Sequence, residues 1–368
     1  MINISLLGLG TVGKGVYEEL KDNKDFKINH ILVRSIDKYK GIPNVTNNIL
    51  DIVNDNSDVL IEVIGGKNTS LTLIEEYLKK GKTVISANKA LLSEKLVYLD
   101  NLAKANNAHL YFEASCCGAL PIINYISKSN SFDTFYSIKG ILNGSTNYLL
   151  TRVSNGEALN DAILDAKEKG FLEANPYEDL DGIDAMNKLI ILSKLAYKAD
   201  FDEECCDIFP LSKLSSKIIE EVGNKKIKYI AESFVLFNSI YLSVEPCLVS
   251  RDNILYNVDN ETNGIIFKQK LSCEQFFKGY GAGMNPTTSA VLFDLSRFTN
   301  KDFNNFSFNN KLTKFSLDQI EATYLIDSDC DISSENIHKL HNGLYEATIS
   351  RQELKDLLGS INSYVRLI

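Results

Sequence analysis

The 368-residue chain is 44% hydrophobic and 24% charged, an ordinary balance for a globular protein large enough for two or three cores. A net charge of −9 argues against nucleic acid or an anionic membrane as the main partner and leaves only local basic clusters to meet phosphate groups. No apolar run approaches the ~20 residues of a membrane helix, no basic leader precedes Ile2, and the seven cysteines include two adjacent pairs, a poor disulfide framework, so the expected compartment is the cytoplasm.

Five apolar runs open the chain as strand candidates: Ile2–Leu7, Ile28–Arg34, Val59–Val63, Thr83–Ser86 and His109–Glu113. Helical patterns lie between them at Val12–Lys21, Leu71–Lys80 and Leu96–Asn106. This alternation predicts a parallel, doubly wound sheet with right-handed crossovers. After Pro121–Ser137 the pattern changes. Phe135–Leu142, Tyr229–Val235, Tyr241–Val249 and Gly264–Leu271 read as strands of a second sheet, interleaved with helices at Ala158–Lys169 and Ile183–Tyr197. Met284–Phe298 reads as a helix returning to the first domain, and Asn300–Asn310 as a linker or a loop packed by its aromatics. The tail predicts β-α-β-α-β over Ile320–Asp327, Ser334–His341, Leu344–Ile349, Arg351–Ile361 and Tyr364–Leu367.

Gly8-Leu9-Gly10-Thr11-Val12-Gly13 directly follows the first strand and opens the first helix. One glycine makes the tight turn, a second admits a pyrophosphate to the backbone, and a third lets helix and strand pack closely, while the helix N-terminus offers free N–H groups. A purely structural glycine turn is the alternative. The fold class expected is α/β, with a Rossmann-type doubly wound sheet over residues 1–135 and a return segment at about 280–305. An α+β domain over 136–279 and a small α+β module over 311–368 follow. An NAD site carries an acidic residue about 20 positions after the turn. Here the second strand ends in Arg34-Ser35, followed by Lys38 and Lys40. Arg34 and Lys38 suit a 2′-phosphate, which predicts NADP with NAD also accepted; solvated surface charge is the other reading.

Asp184 and Lys188 are four apart and share a helix face, whereas Ile183, Met186 and Ile190 fall on an apolar stripe. Glu173, Glu178, Asp179 and Asp181 cluster upstream. Carboxylates of this kind suit the ammonium of an amino-acid substrate and lysines suit its oxygens, although acidic residues at a helix start also answer to the helix dipole alone. Two partly desolvated lysines at one reaction centre, Lys89 and Lys188, would lower the pKa of at least one and suit a group that both takes and gives a proton.

Several further segments carry a family resemblance. They are Glu62-Val63-Ile64-Gly65-Gly66, Gly81 through Ser86-Ala87-Asn88-Lys89-Ala90, Glu113-Ala114-Ser115 with Gly118-Ala119-Leu120-Pro121, and Gly140 through Asn143-Gly144-Ser145-Thr146-Asn147-Tyr148. The run from Gly170-Phe171-Leu172-Glu173 through Asn175-Pro176 to Asp181-Gly182-Ile183-Asp184 and Lys188, and later Gly279-Tyr280-Gly281-Ala282-Gly283 with Pro286-Thr287, complete the set. In this order and spacing the chain resembles the homoserine dehydrogenases over about residues 1–300.

That resemblance implies NAD(P)-dependent interconversion of L-homoserine and L-aspartate 4-semialdehyde, in threonine and methionine biosynthesis, by the monofunctional form without an aspartokinase portion. It implies a homodimer or higher homo-oligomer, with the middle domain serving substrate binding and dimerisation. Gly65, Gly66, Asn88, Lys89, Gly170 and Gly283 join the glycine turn around the cofactor. Glu173 and Asp184 would bind homoserine with Asp179 in support, and Lys188 would act as general acid/base with Lys89 assisting. The loop from Glu113 through Cys116 and Gly118 to Leu120 would hold a monovalent cation, sodium, through carbonyls and the glutamate. The adjacent cysteines and Asn175 depart from the family pattern. The tail resembles the family's threonine-sensing ACT module (βαββαβ) but reads one strand short, which predicts weak feedback or none. Two other readings stay open: an aspartate-semialdehyde dehydrogenase with Cys116 or Cys117 as nucleophile, and a non-catalytic nucleotide-binding regulator.

Overall fold

Mostly apolar runs form the buried central strands of the first sheet. In a computed structural model, which describes residues 1–169 and 177–368, the chain divides into two units. The first comprises Met1–Asp133, Ile190–Asp200 and Gly279–Asn310; the second comprises Thr134–Leu189, Phe201–Lys278 and Lys311–Ile368. The expectations at Gly170, Glu173 and Asn175 fall outside the described residues.

The first unit runs β1 (Ile2–Leu7), α1 (Thr11–Leu20), β2 (Phe26–Leu32), β3 (Val45–Thr46), α2 (Ile49–Val53), β4 (Val59–Glu62), α3 (Asn68–Lys79), β5 (Thr83–Ser86), α4 (Lys89–Ala105), β6 (His109–Tyr111) and α5 (Ile122–Ser129). Its six strands are all parallel, in the order β3-β2-β1-β4-β5-β6. This is the doubly wound Rossmann order, whose switch point lies between β1 and β4 and leaves a crevice beyond the strands' carboxyl ends. Every residue of β4 and β5 is buried. Ile4, Leu6, Ile31, Ile61 and Ile85 pack with Val16 and Leu20 of α1 and with Val291 and Leu295 of the helix Met284–Thr299, each stabilising the unit by about 1.5–3 kcal/mol. The Asn/Phe-rich segment is a loop packed by its aromatics: Phe303 stacks on His109 with ring centroids 3.7 Å apart, and buried Phe306 lies against Phe112.

The second unit contains β7 (Phe135–Ile141), α6 (Gly144–Ser154), α7 (Leu159–Glu168), α8 (Tyr177–Leu180), the start of α9 (Ile183–Tyr197), β8 (Cys206–Ile208), α10 (Ser216–Glu220), β9 (Lys226–Leu236), β10 (Ser239–Val249), β11 (Thr262–Gln269) and β12 (Glu274–Tyr280). Beyond α11 (Met284–Thr299), the tail adds β13 (Thr313–Lys314), β14 (Glu321–Asp327), β15 (Ile337–Lys339), β16 (Leu344–Ser350), α12 (Arg351–Leu357) and β17 (Ser363–Leu367). One mixed sheet unites them in the order β12-β11-β7-β9-β10-β17-β14-β16-β15, with β8 and β13 also paired to β10.

The tail differs from expectation in one element. Ser334–His341 was expected to be a helix, but it contains the strand β15, antiparallel to β16 with Ile337 opposite Ala347. Its eight residues offer only Ile337 and Leu340 as apolar anchors, too few for a helical stripe, whereas the open edge of β16 offers a full ladder. The tail therefore has four antiparallel strands in the order β17-β14-β16-β15 and one helix; compared with βαββαβ it lacks a helix, not a strand. The segment around α10 lies against this sheet. Phe209 packs on Tyr364 with centroids 4.1 Å apart, the Ser215 amide donates to Ser363 Oγ, and Lys217 pairs with Asp327.

Buried charges join β10 to the tail. Glu245, fully buried, accepts from Arg351 at 2.5 Å and from the Tyr364 hydroxyl at 3.1 Å. Arg366 pairs with Glu232 at 2.5 Å, and Lys139 reaches the same glutamate at 2.6 Å.

Candidate active site

The first unit holds a cleft of about 630 Å³ at the carboxyl ends of β1, β2 and β4. Gly8, Gly10, Arg34, Lys38, Gly65 and Gly66 line it, six of the residues expected to bind the cofactor. Gly8 takes φ +99°, and a Cβ on Gly13 would stand 2.1 Å from the Gly8 carbonyl oxygen, so the turn and α1 meet only through glycine. Gly10 at the N-cap gives α1 no side-chain cap, and the helix start that carries Thr11 and Val12 keeps amide donors for an anion. Arg34 and Lys38 are exposed on the same cleft. Gly283, at the N-cap of α11 with φ +104°, does not line it.

Asn88 caps α4, accepting from the Leu91 amide at 3.1 Å, while its Nδ2 donates to the Gly66 carbonyl at 2.6 Å. Beneath it, buried Glu62 accepts from Ser86 Oγ at 2.7 Å, Ser70 Oγ at 3.0 Å and the Ile64 amide at 3.2 Å. These bonds fix the Gly65-Gly66 turn that lines the cleft. Lys89 follows as the first residue of α4, half-buried.

In the 113–120 loop, the Glu113 carboxylate accepts from the Ile123 and Asn124 amides at 2.7 and 2.8 Å and so caps the start of α5. Its own amide donates to Asp294 at 2.7 Å. Burial, with Asp294 alongside, pushes the Glu113 carboxyl well above the usual range, and burial does the same to Asp294. Both Glu113 oxygens accept from α5, and the main-chain carbonyls expected to hold a cation in this loop suit a hard ion and do not depend on the cysteine side chains. Cys117 and Gly118 both have positive φ, and a Cβ on Gly118 would lie 2.7 Å from the Gly281 carbonyl carbon, so the loop is tightly held. Cys116 and Cys117 are fully buried, which leaves no access for a nucleophilic role.

In the second unit, β7 ends beside a polar cluster. Lys188 Nζ donates to Asp184 Oδ2 at 2.7 Å and to the Leu142 carbonyl at 2.8 Å. Asn143 Nδ2 donates to the same Asp184 oxygen at 2.8 Å and to Asp179 Oδ1 at 2.7 Å. Lys188, Asp184 and Asn143 are buried and Asp179 is half-buried. The helix face expected for Asp184 and Lys188 is real, and Met186 and Ile190 are buried, but Ile183 at the helix start is 36% exposed. A Cβ on Gly182, at φ +82°, would meet the Tyr229 hydroxyl at 2.4 Å, so the turn that delivers Asp184 requires glycine.

Comparison with known proteins bears on the family of the chain. The sequence model described as homoserine dehydrogenase matches residues 121–296, and that described as the homoserine dehydrogenase NAD binding domain matches residues 8–113. The homoserine dehydrogenase of Helicobacter pylori is 34% identical over 315 residues, spanning 82% of this chain and 74% of that one. The chain belongs to the homoserine dehydrogenase family. Among solved structures, a homoserine dehydrogenase from Thiobacillus denitrificans superposes with a TM-score of 0.86 at 26% identity, covering 100% of this chain and 98% of that one. A hyperthermophilic archaeal homoserine dehydrogenase in complex with NADPH gives 0.72 at 26% identity, over 82% of this chain and 99% of that one.

Within the family motifs, sequence reasoning missed the parts played by Glu62 and Asn143. Both stand in quoted motifs, but Ser70 and Ser86 lie 8 and 24 residues from Glu62, and Asp179 and Asp184 lie 36 and 41 from Asn143. The one available signal was an amide in an otherwise small-residue turn, Asn143-Gly144-Ser145-Thr146.

Proposed function

We propose that this homoserine dehydrogenase family member oxidises L-homoserine to L-aspartate 4-semialdehyde and catalyses the reverse reduction, in threonine and methionine biosynthesis. The observation that carries this reading is the buried chain of bonds from Leu142 through Lys188 and Asp184 to Asn143 and Asp179. It sets two carboxylates and one ammonium beside each other, which suits a zwitterionic amino acid with a reacting oxygen.

A nicotinamide cofactor supplies the hydride chemistry. In the oxidative direction the alcohol carbon gives up a hydride to the cofactor and the hydroxyl gives its proton to Lys188. In reduction the Lys188 ammonium returns that proton to the aldehyde oxygen. Asp184 holds the Lys188 nitrogen in place and, with Asp179 and Glu173, receives the substrate ammonium. Lys89 assists at the substrate oxygen.

Arg34 and Lys38 favour NADP through its 2′-phosphate, and NAD is accepted more weakly. Gly170 and Gly283 belong to the cofactor's surroundings by family resemblance. Main-chain carbonyls together with the glutamate, over Glu113, Cys116, Gly118 and Leu120, would hold a monovalent cation, sodium. The enzyme works in the cytoplasm as a homodimer or larger homo-oligomer; no described helix is long and apolar enough to cross a membrane.

The test is steady-state oxidation of L-homoserine with NADP and with NAD, for wild type and Lys188→Ala. An inactive wild type would overturn the function; an unimpaired mutant would remove Lys188 from its role.

A further inference from the structure

We propose that Asn143 is a positioning residue for the substrate ammonium: its side-chain amide is an uncharged clamp that holds Asp179 and Asp184 side by side. The inference rests on the reading that these two carboxylates receive that ammonium, and it adds a residue that neither the motifs nor the charge pattern picked out.

Two carboxylates brought together repel, and in a partly buried site the repulsion is far stronger than in water. A bridging lysine or arginine would relieve it by neutralising the pair, removing the charge a cationic group needs. An amide nitrogen donates one hydrogen to each carboxylate and adds no net charge. Asn143 Nδ2 does this, with bonds of 2.7 Å to Asp179 and 2.8 Å to Asp184.

The orientation of the amide is set by its other end. Asn143 Oδ1 accepts from the Thr146 amide at 2.8 Å and from Thr146 Oγ1 at 3.1 Å, the N-cap arrangement of α6. Rotating the amide would place N–H against N–H and lose the cap, so Nδ2 must face the acids. The positive end of the 11-residue helix α6 then lies behind the same side chain and favours the ionised acids. Asp184 Oδ2 is shared between Asn143 and Lys188, so the clamp also sets where the proton-transferring lysine stands.

The residue has two separable duties, capping and clamping, and the test separates them. Asn143→Ser keeps an N-cap oxygen but its side chain is too short to bridge the acids. Asn143→Asp keeps the cap with nearly the same shape and replaces both donors by a third carboxylate. The clamp predicts that Asn143→Ser keeps a near-wild-type melting temperature and an unchanged KM for NADP, whereas in Asn143→Asp the third carboxylate repels the other two and lowers the melting temperature as well. The KM for L-homoserine and the dissociation constant of L-homoserine by calorimetry should rise roughly 10- to 100-fold, the loss expected for hydrogen bonds to charged groups. A wild-type KM and dissociation constant for L-homoserine in Asn143→Ser would overturn the proposal. So would losses of melting temperature and activity that run in parallel in Asn143→Ser, since Asn143 would then be a helix cap and nothing more. If wild type neither turns over nor binds L-homoserine, it is the underlying function that fails, a result distinct from either of these.

Discussion

Lys188 and Asp184 stand one helical turn apart and share a 2.7 Å hydrogen bond in the interior, where the Leu142 carbonyl takes a second Lys188 proton at 2.8 Å. A buried ammonium fixed at two points is aimed rather than free to search. Lys188→Ala should therefore lower kcat for homoserine oxidation by about 10²- to 10⁴-fold, as loss of a general acid/base does. Steady-state rates at saturating substrates, with circular dichroism to confirm the fold, give the comparison. Activity within threefold of wild type would contradict the assignment.

Arg34 lies on the cofactor cleft at the end of β2, where an acidic residue would select NAD. Arg34→Asp should raise the KM for NADP by roughly 10- to 100-fold and lower or leave unchanged that for NAD. Parallel changes with both cofactors would show that Arg34 does not read the 2′-phosphate.

Gly13 has no room for a methyl group against the Gly8 carbonyl, 2.1 Å from a built Cβ. Gly13→Ala should cost about 1–3 kcal/mol through overpacking and displace the turn from the phosphates. Fluorescence titration with NADPH should then show weakened binding, while wild-type affinity would mean that α1 shifts without consequence.

Glu245 is fully buried and bound to Arg351 and Tyr364. Glu245→Ala leaves guanidinium charge uncompensated in the interior, so a loss of about 3–5 kcal/mol is expected in urea denaturation. A loss below about 1 kcal/mol would mean that water replaces the carboxylate.

Burial pushes Lys228 down to about 8 from its ordinary 10.5, although it bonds to Asp259, Asn147 and the Val258 carbonyl. Between those values the unfolded chain binds more protons than the folded one, so this lysine's contribution to stability grows as pH rises from 8 towards 10.5. Wild type should therefore gain on Lys228→Met by on the order of 2 kcal/mol between pH 7.5 and pH 10. Parallel denaturation curves for the two proteins at both pH values would exclude the shift.

The parallel sheet was legible because strands buried on both faces read as unbroken apolar runs, and the glycine turn is a local signal. Ile2–Leu7 and Thr83–Ser86 match residue for residue, and the other three strands of that reading differ by one or two residues at their ends. The helix Gly144–Ser154 was not anticipated. Its sequence, with Gly144, two serines, two threonines and Asn147, has weak helical propensity, and it is held instead by the Asn143 cap and by burial of Tyr148, Leu149 and Leu150. In the site, the Asp184–Lys188 pair was legible from a spacing of four. Asn143 and Glu62 were not, because their partners come from other elements. The Glu113 cap on α5 was hidden for the same reason, since its amide partners lie 10 and 11 residues on.

The strand β17 (Ser363–Leu367) pairs in parallel with β10, Cys247 opposite Arg366. Synthesis runs from the N-terminus, so β10 leaves the ribosome with that edge open and with Glu245 waiting for a tyrosine made 119 residues later. The strands of the first sheet all end by Tyr111 and can close long before. The second sheet can close only once β17 has been made. Loss of β17 would therefore strip an interior strand from that sheet and leave an unpaired edge, the kind that recruits other chains.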